Sequence, residues 1–178
     1  MVVVALMMEN RSYDHLLGAR SLLEGNPGDG ITVGMANPSA TDEMVPLYAP
    51  DLAQLCVVDP PHGWTSSHAQ WNGGLNDGFL REHQAEHPGD LSAMQYLTRA
   101  EQPISWALAD GGASCDRWFS SVMGPTWPNR WYWLAGTSHG IKSNVMPQID
   151  GDARTVFHQL GEAGVDARLY YGDVPFFP

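Results

Sequence analysis

Val2-Val3-Val4-Ala5-Leu6-Met7-Met8-Glu9-Asn10-Arg11-Ser12 is the stretch from which the fold follows. Residues 2–8 are apolar throughout, and three successive valines favour the fully buried strand of a parallel sheet. Glu9 and Asn10 then fall at the strand's C-terminal end, the edge where ligands bind in open α/β sheets. A carboxylate and an amide oxygen there suit a hard or borderline metal. They suit a helix start equally well, with Asn10 or Ser12 as the cap and Glu9 favouring the dipole. Ser12 can open a short helix that carries Tyr13, Leu16 and Leu17 and stops at Gly18 or soon after.

Beyond that helix, from about residue 21 to 63, Gly, Pro, Asn and Asp recur without a period, a long loop by ordinary standards. Asp59-Pro60-Pro61-His62-Gly63-Trp64 is a stiff turn, and a helix follows from Thr65 or Ser66 to Trp71, ended by Asn72-Gly73-Gly74. Residues 90–97 and 104–109 read as further helices, the second opened by Pro103. Ala113 to Ser121 has room for a short strand. A helix runs from about Pro128 to Leu134 or Ala135 and stops at Gly136. Val156, Phe157, Leu160 and Ala163 have helical spacing, so 154–163 is a helix, and Ala167 to Tyr171 is the next strand. Strand, helix, long loop, helix, strand favours α/β over all-α or all-β. The ending Phe176-Phe177-Pro178 leaves two aromatics with nothing after them to pack against, as expected of a chain that continues.

Composition bounds the function. The chain has 178 residues, enough for one domain with a core. Nine Lys and Arg against twenty Asp and Glu, for a net charge of −11, exclude an ordinary basic nucleic-acid binder. A phosphate-containing substrate is not excluded, because a bound metal reverses the local field. No run of 18 apolar residues exists to span a membrane. The opening segment lacks the basic region of a signal peptide, so the expectation is a cytoplasmic chain as written, or a secreted or periplasmic one if an upstream signal is missing. Cys56 and Cys115 fit no metal knuckle and suit either one disulfide or two free thiols.

Several constellations could carry chemistry. In Gly124-Pro125-Thr126-Trp127-Pro128-Asn129-Arg130, Thr126 stands at a helix start. A hydroxyl there lies among free backbone N–H groups at the positive end of the dipole. It would be either an activated nucleophile or a plain N-cap. His62 and His68 flank Trp64 in polar, Gly-rich surroundings. His83 and His87 are four apart but lack the acid of a zinc motif, and read as a solvated surface pair. His15 and His158 read as structural. Of the seven tryptophans, Trp118, Trp127, Trp131 and Trp133 crowd Thr126 while Trp64 and Trp71 accompany the histidines. They serve either core and lid packing or a cationic head group held over indole faces.

Four segments together resemble the bacterial phosphoesterase family that contains phosphatidylcholine-preferring phospholipases C and an acid phosphatase. They are Met7 to His15, Asp59 to Trp64, His68 to Phe79, and Cys115 to Arg130. The resemblance implies an alkaline-phosphatase-like α/β fold with a mostly parallel central sheet, incomplete in this chain, which would be the N-terminal portion of one domain. It implies a divalent metal ion held by Glu9, Asn10 and Thr126, with Asn10 also near a phosphoryl oxygen. Thr126 would match the nucleophile, and His62 or His68 would contact the phosphoryl or leaving group. Asn72 and Trp127 are further candidates for substrate contact. The family also carries an adjacent aspartate pair and a histidine far downstream. This chain has no such pair, and Asp116 and Asp173 are the candidate substitutes.

The function so implied is hydrolysis of a phosphate ester or phospholipid head group by double displacement, phospholipase C-like. Two alternatives are an acid phosphatase acting on monoesters and a non-catalytic binding domain or inactive remnant. Oligomeric state is not legible.

Overall fold

Asp14–Gly18 forms one π-helical turn that runs straight into α1, Ala19–Glu24. The structure, a computed structural model, describes residues 2–8, 11–51, 55–145 and 153–170. It comprises two compact units, one reaching Gly124 and one beginning at Pro125. As expected, the Ser12 hydroxyl caps the first turn, accepting the amide of His15 at 3.1 Å. The helix passes through Gly18 and ends instead at Gly25, whose φ of +67° closes it. Gly18 stays because Ile31 packs against it, with the Ile31 amide donating to its carbonyl at 3.0 Å.

In the region read as loop, β1 (Ala36–Pro38) and β2 (Met44–Pro46) pair as an antiparallel hairpin, Asn37 opposite Val45. Three residues per strand are too few to show alternation in sequence. Helices α2 (Trp64–Trp71), α3 (Phe79–Glu86) and α4 (Pro103–Gly111) complete this unit. The expected helix at 90–97 shrinks to one 3-10 turn, Ser92–Met94. Asn37 joins hairpin to helix: its Oδ1 accepts the Leu80 amide at 3.2 Å, capping α3, and its Nδ2 donates to the Asn76 carbonyl at 2.9 Å.

Leu80, Met94, Leu97, Trp106, Ala19 and Ile31 form the buried core, and His83 is buried with them. The Trp106 indole donates to the Leu16 carbonyl at 2.8 Å, so its one polar atom is satisfied. Around the rim, Arg20 pairs with Asp110 at 2.7 Å and Arg99 bridges Glu24 and Asp110. The Arg99 guanidinium also lies 4.9 Å from the centre of the Trp106 ring.

In the second unit, α5 (Thr126–Ala135) buries Pro128, Trp131 and Leu134 and ends at Gly136 with φ +71°. Helix α6 (Val156–Glu162) opens on a capping box between Thr155 and His158, which gives His158 its structural role.

The expected parallel sheet is not what the described residues build. Val2, Val3 and Val4 are 89, 78 and 85% exposed, and residues 2–8 form no strand. Neither do 113–121 nor the described part of 167–171. An apolar run becomes a strand only beside a partner that satisfies its amides and carbonyls, and no described segment pairs with these three. The chain is mixed helix and strand, and its one described sheet is the antiparallel hairpin.

Candidate functional site

Pro60 and Pro61 have no N–H to give to a ladder, so the turn they stiffen must find other partners for its carbonyls. Three side chains supply them. His87, the C-cap residue after α3, donates through Nε2 to the Asp59 carbonyl at 3.1 Å. His62 donates through Nδ1 to the Pro60 carbonyl at 2.9 Å, and Gln70 of α2 donates to the Pro61 carbonyl at 2.6 Å. The Asp59 carboxylate stands 3.6 Å from His62 Nδ1 and is not its hydrogen-bond partner. With Nδ1 carrying the donated proton, neutral His62 keeps its lone pair on Nε2.

This turn forms one wall of a cavity of about 280 Å³ in the first unit. Ile31, Leu47, Val57, Val58 and Phe79 make it largely apolar, and Arg11, Asp14, His15, Asp59 and His62 give it charge and titratable groups. Burial pushes the Asp14 carboxyl up and the His15 imidazole down. The His15 Nδ1 donates to the Gln95 carbonyl at 3.0 Å, leaving its other nitrogen a base. Ser92, Ala93, Gln95 and Tyr96 supply a further wall. Asp90 ties that wall down: Ser92 donates to its Oδ1 through amide (2.7 Å) and hydroxyl (2.5 Å), and His83 donates through Nε2 at 2.8 Å. The Ser92 bonds first and the His83 bond with them hold the Asp90 carboxyl at about 2.

Three of the four segments singled out in the sequence contribute to this cavity: 7–15 through Arg11, Ser12, Asp14 and His15, 59–64 through Asp59 to His62, and 68–79 through Gln70 and Phe79. Glu9 and Asn10 lie outside the described residues; Arg11 and Ser12, next along the chain, line the cavity. Of the two histidines, His62 lines it and His68 does not. His68 donates instead to the Trp64 carbonyl at 2.7 Å and leans on that indole with ring centres 4.5 Å apart. Asn72 is exposed, left-handed at φ 43°, and donates to Asp77 at 2.8 Å.

Thr126 belongs to the second unit and is the first residue of α5, with Pro125 in the cap position. It is therefore not the N-cap, and Pro128 sits two residues further into the first turn than expected. The cap comes from Asn144, whose Oδ1 accepts the Trp127 amide at 2.9 Å. Trp127 is half-buried.

Sequence reasoning missed His83. Read as half of a solvated pair, it is fully buried, its ring 5.1 Å from that of His87. Leu80 and His83, at i and i+3, are the buried residues of α3, a signal hidden because one of the two is polar by type. Among the tryptophans, packing accounts for Trp106 and Trp131, whereas Trp118 is 82% exposed. Cys56 and Cys115 are free thiols. Asp116 accepts the Asp29 amide at 2.6 Å, and Asp173 lies outside the described residues. Among the described residues no three His, Cys, Asp or Glu side chains gather so as to hold a metal ion.

Comparison with known proteins decides the family. The profile of the Phosphoesterase family matches residues 1–177. The chain belongs to the phosphoesterase family. "Phospholipase C B" of Mycobacterium tuberculosis is 34% identical over 195 residues, covering 94% of this phosphoesterase chain and 37% of that protein. "Non-specific phospholipase C6" of Arabidopsis thaliana is 32% identical over 183 residues, covering 97% and 35%. "Hemolytic phospholipase C" of Pseudomonas aeruginosa is 30% identical over 188 residues, covering 94% and 25%. The phosphoesterase chain thus spans little more than a third, at most, of the length of these three relatives.

Proposed function

We propose that this chain serves the hydrolysis of phosphoric esters, as part of a phospholipase C-like phosphodiesterase that works through a covalent phosphothreonine. The observation that carries this reading is the match of almost the whole chain to relatives named as phospholipases C from bacteria and a plant. Residues 1–178 are, in the same proposal, the N-terminal portion of one alkaline-phosphatase-like α/β domain.

Thr126 is the proposed nucleophile. Its Oγ attacks phosphorus, an O–P bond forms, and the ester O–P bond to the leaving alcohol breaks. Water then cleaves the phosphothreonine and restores the hydroxyl. The position of Thr126 at the start of a ten-residue helix supports this role, since charge building on the phosphoryl oxygens meets the positive end of the dipole. His62 is the histidine proposed to contact the phosphoryl or leaving group: neutral, its Nε2 accepts a proton, and protonated, it gives one to the departing oxygen. Asn72 and Trp127 are proposed substrate contacts. A divalent metal held by Glu9, Asn10 and Thr126 belongs to the proposal and would lower the proton affinity of the threonine hydroxyl. The described residues assemble no metal cluster, so this part rests on the resemblance and on the oxygen donors themselves.

The test is Thr126→Ala in the whole protein, assayed on p-nitrophenyl phosphorylcholine and p-nitrophenyl phosphate. Loss of at least about 10³-fold in kcat with an unchanged melting curve is expected. Near-wild-type turnover would remove Thr126 from the mechanism. Faster turnover of the monoester by the unmutated protein would replace the diesterase reading with the phosphatase one.

A further inference from the structure

The turn that carries His62 is unusual in how completely side chains, and not backbone, hold it. Three successive carbonyls, those of Asp59, Pro60 and Pro61, each accept one side-chain N–H, from His87, His62 and Gln70 in turn. Gln70 belongs to α2 and His87 is the C-cap residue directly after α3, so the turn is pinned between two helices. Helix α3 is itself fixed at that end. His83, one turn before His87 and fully buried, donates to Asp90, which also holds Ser92 of the further cavity wall. His83 of α3 and the C-cap His87 therefore help to tie down two walls of the same cavity.

We infer that His87 and Gln70 are positioning residues for His62: by holding the carbonyls on either side of Pro60 they fix the acceptor to which the His62 Nδ1 proton is committed. The inference rests on the reading of His62 as a substrate-contacting group. The physical reason is that a catalytic imidazole needs one nitrogen committed to a fixed acceptor before the other has a defined proton state and direction. Here that acceptor is a proline carbonyl in a segment with no ladder of its own. Without His87 and Gln70 the flanking carbonyls lose their partners and turn toward water, and the Pro60 carbonyl swings with them.

In the whole protein, His87→Leu and Gln70→Met remove the donor at similar bulk, while His87→Gln restores an N–H where Nε2 stood. Each variant is assayed on p-nitrophenyl phosphorylcholine, and hydrogen exchange is followed at the Ser67 amide, which donates to the Gly63 carbonyl beside the turn at 2.9 Å. Expected are a fall in kcat/KM of roughly ten- to a hundredfold, carried mainly by kcat, for His87→Leu and Gln70→Met, faster exchange at that amide, and substantial recovery of both in His87→Gln. Wild-type kinetics and exchange in His87→Leu and Gln70→Met would overturn the inference. So would a His87→Gln variant as impaired as His87→Leu, since bulk and not the hydrogen bond would then matter. If the unmutated protein hydrolyses neither ester, the phosphoesterase reading fails, while faster exchange rescued by glutamine would still uphold the pinning of the turn.

Discussion

Asn37 uses both ends of its buried amide, one to cap α3 through the Leu80 amide and one to hold the Asn76 carbonyl. Few side chains in the first unit connect so much: β1, the turn before α3, and α3 itself. Asn37→Ala leaves a buried donor without its partner and should cost about 1–2 kcal/mol, read as a lower urea midpoint. Asn37→Asp keeps the accepting oxygen but sets a second oxygen against the Asn76 carbonyl in a buried place, so it should lose at least as much. His83 teaches a related lesson. A histidine flanked by Glu82 and Gln84 looks solvated in sequence, yet its burial is set by where α3 lies against the core, and its hydrogen-bond partner Asp90 comes from the next turn of chain.

At the scale of elements, the approach of α2 and α3 depends on Gly78. A Cβ there would collide with the carbonyl oxygen of Ala69 in α2, an atom that cannot move without breaking the helix. Gly78→Ala should destabilise by about 1–3 kcal/mol. Gly111, the last residue of α4, has open space where a Cβ would stand and no positive φ, so Gly111→Ala should be neutral or stabilise by up to about 1 kcal/mol. Urea unfolding of the two variants side by side checks the contrast. Helices α2, α4, α5 and α6 were legible from local signals: Asn72 and Gly136 take the left-handed conformation that ends α2 and α5, Pro103 opens α4, and apolar spacing marks α6. Helix α3 and the hairpin were not, since α3 has a polar buried face and the strands are three residues long.

For the whole molecule, the pattern of perturbed groups sets how stability follows pH. Asp90, held at about 2, is ionised in the folded state well below the range near 4 where an unfolded aspartate takes its proton. Its contribution is complete above that range and is lost as pH falls from about 4 toward about 2. Burial lowers His15, so the unfolded chain binds a proton near pH 6.5 that the folded chain resists, and stability also declines as pH falls through that region. Asp14, raised by burial, works in the opposite sense, and its contribution is lost as pH rises through its raised value. Urea midpoints against pH should show an acid limb below pH 4 that flattens in Asp90→Asn. They should also show a shallower decline between pH 7.5 and 5.5 that flattens in His15→Gln.

Sequence alone determined the features whose physics is local. Helix stops such as Asn72 and Gly136, the stiff Asp59-Pro60-Pro61-His62 turn, and the segments that mark the phosphoesterase family are all written in runs of neighbouring residues. It also singled out three of the stretches that line the cavity. Only the tertiary structure decided which histidine belongs there. His62 and His68 sit in equally polar sequence, and they differ because one ring is tied to the proline turn and the other lies against Trp64. Tertiary structure likewise decided that Val2 to Met8, strand-like in every residue, forms no strand among the described residues, because pairing is a property of two segments and the composition of one cannot supply it.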